Sequence, residues 1–276
     1  MPMQPKDIIQ HAPIGLALVH LDGGTYTLYN DVYERIIGYS IDEAQKKSYW
    51  DITPQKYCDQ EDDLLDTLRR ENGAEFGPYY KQYFNRTIGL VPVVLNCIRI
   101  DRDSNERYIW SAVEVFGEVP DPPHGPDDPI TCGVCTEPLL GNDILQTLCD
   151  KAPIGLAVTD LDGCFQYAND YFCELLCRER EAILRMKDRE IIPRKYARLL
   201  RDVAATLRAT GSAGPFVTQY VAPRPMGLVP VNVRAHLVNV PESYIVYAVD
   251  DLARLRALPL DVLDGDAPFP HDHPRR

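Results

Sequence analysis

The chain carries the same series of segments twice, in the same order. Ala12-Pro13-Ile14-Gly15-Leu16-Ala17 returns as Ala152-Pro153-Ile154-Gly155-Leu156-Ala157, and Leu21-Asp22-Gly23 returns as Leu161-Asp162-Gly163. Asn30-Asp31 matches Asn169-Asp170, and Pro54, Lys56 and Tyr57 match Pro193, Lys195 and Tyr196. Thr67-Leu68-Arg69 returns as Thr206-Leu207-Arg208, then Gly89-Leu90-Val91-Pro92-Val93 as Gly227-Leu228-Val229-Pro230-Val231. The spacing drifts slightly along the series, as single-residue changes in surface loops produce. Copies of roughly 110 residues have the size of whole domains rather than solenoid repeats. The repeat therefore divides the chain into a first domain (1–117), a linker (118–140), a second domain (141–255) and a tail (256–276).

The linker from Gly117 to Ile130 is dense in Pro and Asp, and its prolines fix φ and remove backbone donors, so it reads as stiff and extended. The tail is rich in Pro and Asp and reads as disordered. Two separately folding units are expected.

One copy shows the order of elements. Ile14–His20 is an apolar, partly β-branched strand ending at the turn Asp22-Gly23-Gly24, and Thr25–Tyr29 is a second short strand. Asn30 caps a helix with Val32, Tyr33, Ile36 and Ile37 on one face, stopped by Gly38. Asn169 is the matching cap, and each is expected to contribute about 1 kcal/mol. Ser40 and Glu43 have capping-box spacing. Asp59–Arg70 forms a longer helix with Leu64, Leu65 and Leu68 inward. Strands follow at 79–84, 90–100 and 108–116. Consecutive long strands joined by short turns imply, in each copy, a five-stranded antiparallel sheet with helices on one face, an α+β fold.

These segments resemble the PAS domain family. The resemblance rests on Ala-Pro-Ile-Gly-Leu, Leu-Asp-Gly and the Asn ahead of an aromatic helix (Asn30 with Tyr33, Asn169 with Phe172). It rests further on Ile37-Gly38-Tyr39-Ser40-Ile41-Asp42-Glu43-Ala44, Asp51-Ile52-Thr53-Pro54, Tyr83–Gly89 and Gly-Leu-Val-Pro-Val. The second copy departs from it at Leu176-Cys177-Arg178, where the Gly-Tyr stop is missing. The resemblance implies tandem sensory domains whose output lies on another chain. The alternative is a ligand-free interaction and dimerisation module.

Cofactor options are tested on residues. The covalent-flavin motif that the resemblance brings to mind, Asn-Cys-Arg-Phe-Leu, has no match, and Cys58 reads as a semi-buried thiol. No His lies in the helical region that supplies a haem ligand in similar domains. Non-covalent flavin or another small molecule stays open, with Tyr33, Trp50 and Tyr57 as candidate pocket residues. No phosphate loop, zinc-protease helix or nucleophile elbow is present, so no enzyme is expected. Glu61-Asp62-Asp63 at a helix start reads as a solvated cluster favoured by the helix dipole.

A formal net charge of −12 argues against nucleic acid and an acidic membrane surface as partners. The N-terminal residues lack the order of a secretory signal, and no apolar run is long enough to span a bilayer, so a cytoplasmic location is expected. Six of the eight cysteines sit in apparent core segments and read as reduced, packed thiols; Cys132-Gly-Val-Cys135 has ligand-like spacing without a second pair, leaving a redox or metal role open.

The penultimate strands locate an interface. Val229, Val231, Val233, Ala235 and Leu237 form an apolar row with Asn232, Arg234 and His236 opposite. The same register places Val91, Val93, Leu95 and Cys97 inside the first domain and Val94, Ile98 and Ile100 on its outer face. That apolar outer face needs a cover. The expected cover is either the segment Asp7–Gln10 or a second copy, in a homodimer that Ile98→Glu would break and Arg234→Glu would not.

Overall fold

The computed structural model describes residues 3–103, 106–115, 141–223, 225–239 and 242–255. The first domain runs α1 (Pro5–His11), β1 (Gly15–His20), β2 (Tyr26–Tyr29), α2 (Asp31–Ile37), α3 (Ile41–Ala44), α4 (Cys58–Arg70), β3 (Glu75–Asn85), β4 (Gly89–Asp103) and β5 (Glu106–Val115). The second repeats it as α5 (Asn142–Asp150), β6 (Gly155–Asp160), β7 (Phe165–Ala168), α6 (Asp170–Leu176), α7 (Arg180–Ile183), α8 (Asp188–Ile191), α9 (Ala197–Thr210), β8 (Ser212–Val221), β9 (Leu228–Asn239) and β10 (Ser243–Asp251), closed by α10 (Leu252–Leu255). Each sheet is antiparallel and five-stranded, ordered β2-β1-β5-β4-β3 and β7-β6-β10-β9-β8. The fold is the α+β arrangement expected from the sequence. The linker, the tail and Cys132/Cys135 lie outside the described residues.

Asn30 and Asn169 do more than cap. Asn30 Oδ1 accepts from the backbone of Tyr33 (3.1 Å) and Leu16 (2.9 Å), while its amide donates to the carbonyls of Ile14 (2.8 Å) and Ile9 (3.1 Å). One buried side chain thus fastens α2 to β1 and to the end of α1. Asn169 repeats the design with Phe172, Leu156 and Ile154. Gly38 ends α2 at φ 75°, a left-handed conformation; Cys177 holds the matching place at φ 49°. The local helix end that the missing glycine put in question therefore forms, with a non-glycine residue in the left-handed region.

One face of each sheet packs under its own helices. In the first domain that core includes Val91, Val93, Leu95 and Cys97, the row expected from the register. The opposite faces of the two sheets meet each other. Ile8 and Ile9 of α1, Leu145, Leu148 and Cys149 of α5, Leu16, Leu18, Ile98, Tyr108 and Trp110 of the first sheet, and Leu156, Val158, Val238, Tyr244 and Val246 of the second form one shared apolar cluster. Val94 and Ile98 are buried, and Ile100 packs against the cluster. The outer face of the first domain is therefore covered inside the chain, by α1 and by the second domain. Helix α1 contains Asp7–Gln10, one of the two covers expected from the sequence; the second domain is a cover that expectation did not name.

Arg234, on the face of β9 opposite the apolar row, lies in the contact between the domains. Arg234 Nε donates to Glu114 Oε1 (2.9 Å), its Nη2 to the Val115 carbonyl (3.0 Å), and Asn232 to Glu114 (2.7 Å). At the position related by the repeat, Asn96 donates to Asp250 (3.4 Å). The faces are nearly self-complementary because the two domains descend from one sequence, which gives the tandem the geometry of a two-fold dimer held within one chain.

Candidate functional site

The two domains differ in what lies between helix and sheet. In the first, that space is filled. Lys81 of β3 forms a buried ion pair with Glu61 of α4, and its ammonium also donates to Thr53 Oγ1 (3.2 Å). Glu61 is thus a core residue, whereas Asp62 and Asp63 keep the solvent exposure expected of the cluster. A buried ion pair of this kind is tolerable because each ion has its partner and the ammonium has a further hydrogen bond. Arg99 of β4 donates to the carbonyls of Leu68 (3.3 Å) and Arg69 (3.0 Å), tying the far end of α4 to the sheet. Tyr26, Tyr33 and Tyr83 cluster beside the pair: the hydroxyls of Tyr26 and Tyr33 lie 3.2 Å apart, and the rings of Tyr33 and Tyr83 pack edge to face. Burial pushes the Cys97 thiol up to about 12, so it stays protonated. A space of about 40 Å³ remains.

In the second domain all of these fillers but Tyr83, which is kept as Tyr220, are replaced. Strand pairing equates Lys81 with Thr218, Tyr79 with Phe216 and Tyr83 with Tyr220. The repeat equates Glu61 with Leu200, Tyr26 with Phe165, Tyr33 with Phe172, and Arg99 with Leu237. Both ties between helix and sheet are lost. Helix α9 buries only Leu207, and Leu199, Leu200 and Val203 on its apolar face stay half-exposed. Beneath it opens a cavity of about 470 Å³, walled by α8, α9 and the inner face of β8, β9 and β10. That volume falls in the range of small-molecule sites. Asp160, Asp188 and Arg208 are its charged residues. Burial raises the Asp188 carboxyl above the ordinary carboxylate range, partly offset by a hydrogen bond from the Arg189 amide.

Of the sequence candidates, Tyr33 lines the small space of the first domain. Trp50 is half-buried against Tyr49 (ring centroids 4.8 Å apart), and Tyr57 is buried with its hydroxyl 3.5 Å from Gln82; neither lines either of these two spaces. Residues walling the large cavity, such as Phe172, Leu200 and Tyr220, went unmarked by the sequence reading. The signal for them was present as differences between the copies. Among the described residues no group of three or more His, Cys, Asp and Glu is placed to hold a metal, and no helix is long and apolar enough to cross a membrane. Of the six described cysteines, all free, only Cys97 and Cys149 are fully buried; Cys177 is exposed.

A sheet of this order with short helices, repeated in two domain-sized units, defines a tandem α+β module. The PAS domain family matches the chain twice, over residues 6–72 and 143–210, and the chain belongs to that family as a tandem. Similar solved structures include a PAS domain from a two-component sensor histidine kinase (18% identity, 40% of this chain and 94% of that one, TM-score 0.35). Another is the PAS domain of a LuxR-family transcriptional regulator from Burkholderia thailandensis in complex with ethanol (19% identity, 39% and 96%, TM-score 0.35). A third is the PAS domain of an HTR-like protein from Haloarcula marismortui (21% identity, 40% and 89%, TM-score 0.32). The comparison with curated proteins returned no match.

Proposed function

We propose that the chain is a sensory or regulatory adaptor with unequal halves: the second domain takes a small ligand, the first is its permanently closed partner, and an output on another chain reads their joint state. The observation that carries this is the cavity of about 470 Å³ in one copy against about 40 Å³ in the other. The route from ligand to readout is short. Val233, Leu237, Ile245 and Tyr247 wall the cavity, while Arg234, Val246 and Asp250 on the same strands face the first domain. Alternating side chains of two strands thus couple the ligand to the domain contact.

The test is native mass spectrometry of the freshly purified chain beside the double variant Leu200→Glu/Thr218→Lys, which imports the ion pair of the first domain. A small mass bound to the wild type and absent from the variant is expected. Visible absorbance of the same sample tells a chromophore from a colourless ligand. A bare chain whose melting no small molecule raises would favour a second reading, a ligand-free interaction module, to which the filled first domain already conforms.

A further inference from the structure

The first domain serves as a template for what the cavity of the second lacks. Tyr33 and Tyr83 stand with ring centroids 6.2 Å apart at 70°; Phe172 and Tyr220 stand 6.0 Å apart at 70°. The packing is preserved and one hydroxyl has been removed. Tyr83 has the Tyr33 hydroxyl beside it, whereas the related neighbour of Tyr220, Phe172, has none, and no hydrogen bond of the Tyr220 hydroxyl is formed among the described residues. Tyr220 is only 4% exposed and lines the cavity. Thr218, fully buried on the same face of β8, also has an unpartnered hydroxyl. A polar group closed off from water without a partner is destabilising, and a ligand that supplies the partner recovers that loss.

Charge narrows the class further. The positions that hold Lys81 and Glu61 in the first domain are Thr218 and Leu200 here, so that buried ion pair is absent. The charged residues that line the cavity are Asp160 and Asp188, which are half-buried, and Arg208, which is exposed; none is fully buried. An ionised ligand would leave water without a buried counter-charge.

We infer that the second domain binds an uncharged, predominantly apolar ring-sized molecule bearing a hydrogen-bond acceptor that takes the Tyr220 hydroxyl. This rests on the reading of the cavity as a ligand site. The chemical class follows from what the walls present: phenylalanine and aliphatic side chains around a donor that burial keeps protonated.

A naphthalene series substituted at one ring carbon tests it by calorimetry on the full chain: acetonaphthone, ethylnaphthalene, naphthoate and naphthylmethylammonium. Acetonaphthone should bind one molecule per chain, with both ionised probes at least about tenfold weaker. Tyr220→Phe should weaken acetonaphthone by about fivefold to tenfold and leave ethylnaphthalene within about twofold. Phe172→Tyr, which hands Tyr220 the partner it has in the first domain, should weaken acetonaphthone in the same way. Equal loss of ketone and hydrocarbon in Tyr220→Phe, or no loss of either, overturns the acceptor claim while the cavity reading stands. Tighter binding of naphthoate or the ammonium probe overturns the uncharged class alone. Binding that persists in Leu200→Glu/Thr218→Lys, or no binding by any probe, overturns the cavity reading and with it this inference.

Discussion

Replacing Asp250 by Asn should make the protein more stable at neutral pH, because Asp250 is an acid held where its charge is poorly compensated. It lies on the domain contact, 3% exposed. Its near partners are mainly neutral: the Tyr171 hydroxyl (3.0 Å), the Asn96 amide (3.4 Å) and the Asp251 backbone N–H (2.8 Å). The related carboxylate, Glu114, has Arg234; Asp250 has Asn96 at the corresponding place, with the Arg254 guanidinium set over the Tyr171 ring. Burial, with repulsion from Glu114 next, raises its pKa from 3.8 to about 6, although the Tyr171 bond and Arg254 pull the other way. The folded chain therefore holds this proton more tightly than the unfolded chain. Below pH 3.8 both states are protonated and the group is neutral in the balance; above about pH 6 both are ionised and the full penalty applies. At roughly 1.4 kcal/mol per pH unit, that penalty is about 3 kcal/mol near pH 7.5, falling to about 1 kcal/mol at pH 4.5. Asn keeps the shape and the acceptor for Tyr171 while removing the charge. Urea unfolding followed by the fluorescence of Trp110, which sits in the shared cluster, measures the difference at both pH values. A variant no more stable than wild type at pH 7.5, or a gain that does not shrink with acid, would refute the reasoning.

Two further outcomes follow from the packing. Asn30→Ala and Asn169→Ala each strand two buried backbone N–H groups, so each should cost about 2–5 kcal/mol in urea unfolding, well above the 1 kcal/mol or so of a simple helix cap. Light scattering at micromolar concentration should give a monomer for the wild type. Ile98→Glu and Arg234→Glu should both leave that mass unchanged while lowering the melting temperature and shifting the Trp110 emission, since both residues sit on the contact between the domains.

The repeat alone determined the two-domain α+β plan. A strand with side-chain period two, an Asn ahead of an aromatic helix and a Gly-Leu-Val-Pro-Val strand carry local physics, and local physics is readable residue by residue. The inward row of β4 came from alternation in the same way. What lay out of reach was anything that depends on two distant segments meeting. Glu61 looked like one more solvated carboxylate because its partner, Lys81, stands on another element, and a lone charge gives no sign of being paired. Val94, Ile98 and Ile100 announced an uncovered face, but alternation reports that a face is apolar without saying what lies against it; tertiary structure put the other half of the chain there. The large cavity is the clearest case. Each exchange from the first copy to the second, Lys81 to Thr218, Glu61 to Leu200, Tyr33 to Phe172 and Arg99 to Leu237, is visible in the sequence as a difference of one residue. Only the fold brings the four positions around one space, where losing three charges and a hydroxyl frees a helix from its sheet and leaves the Tyr220 hydroxyl facing the opening.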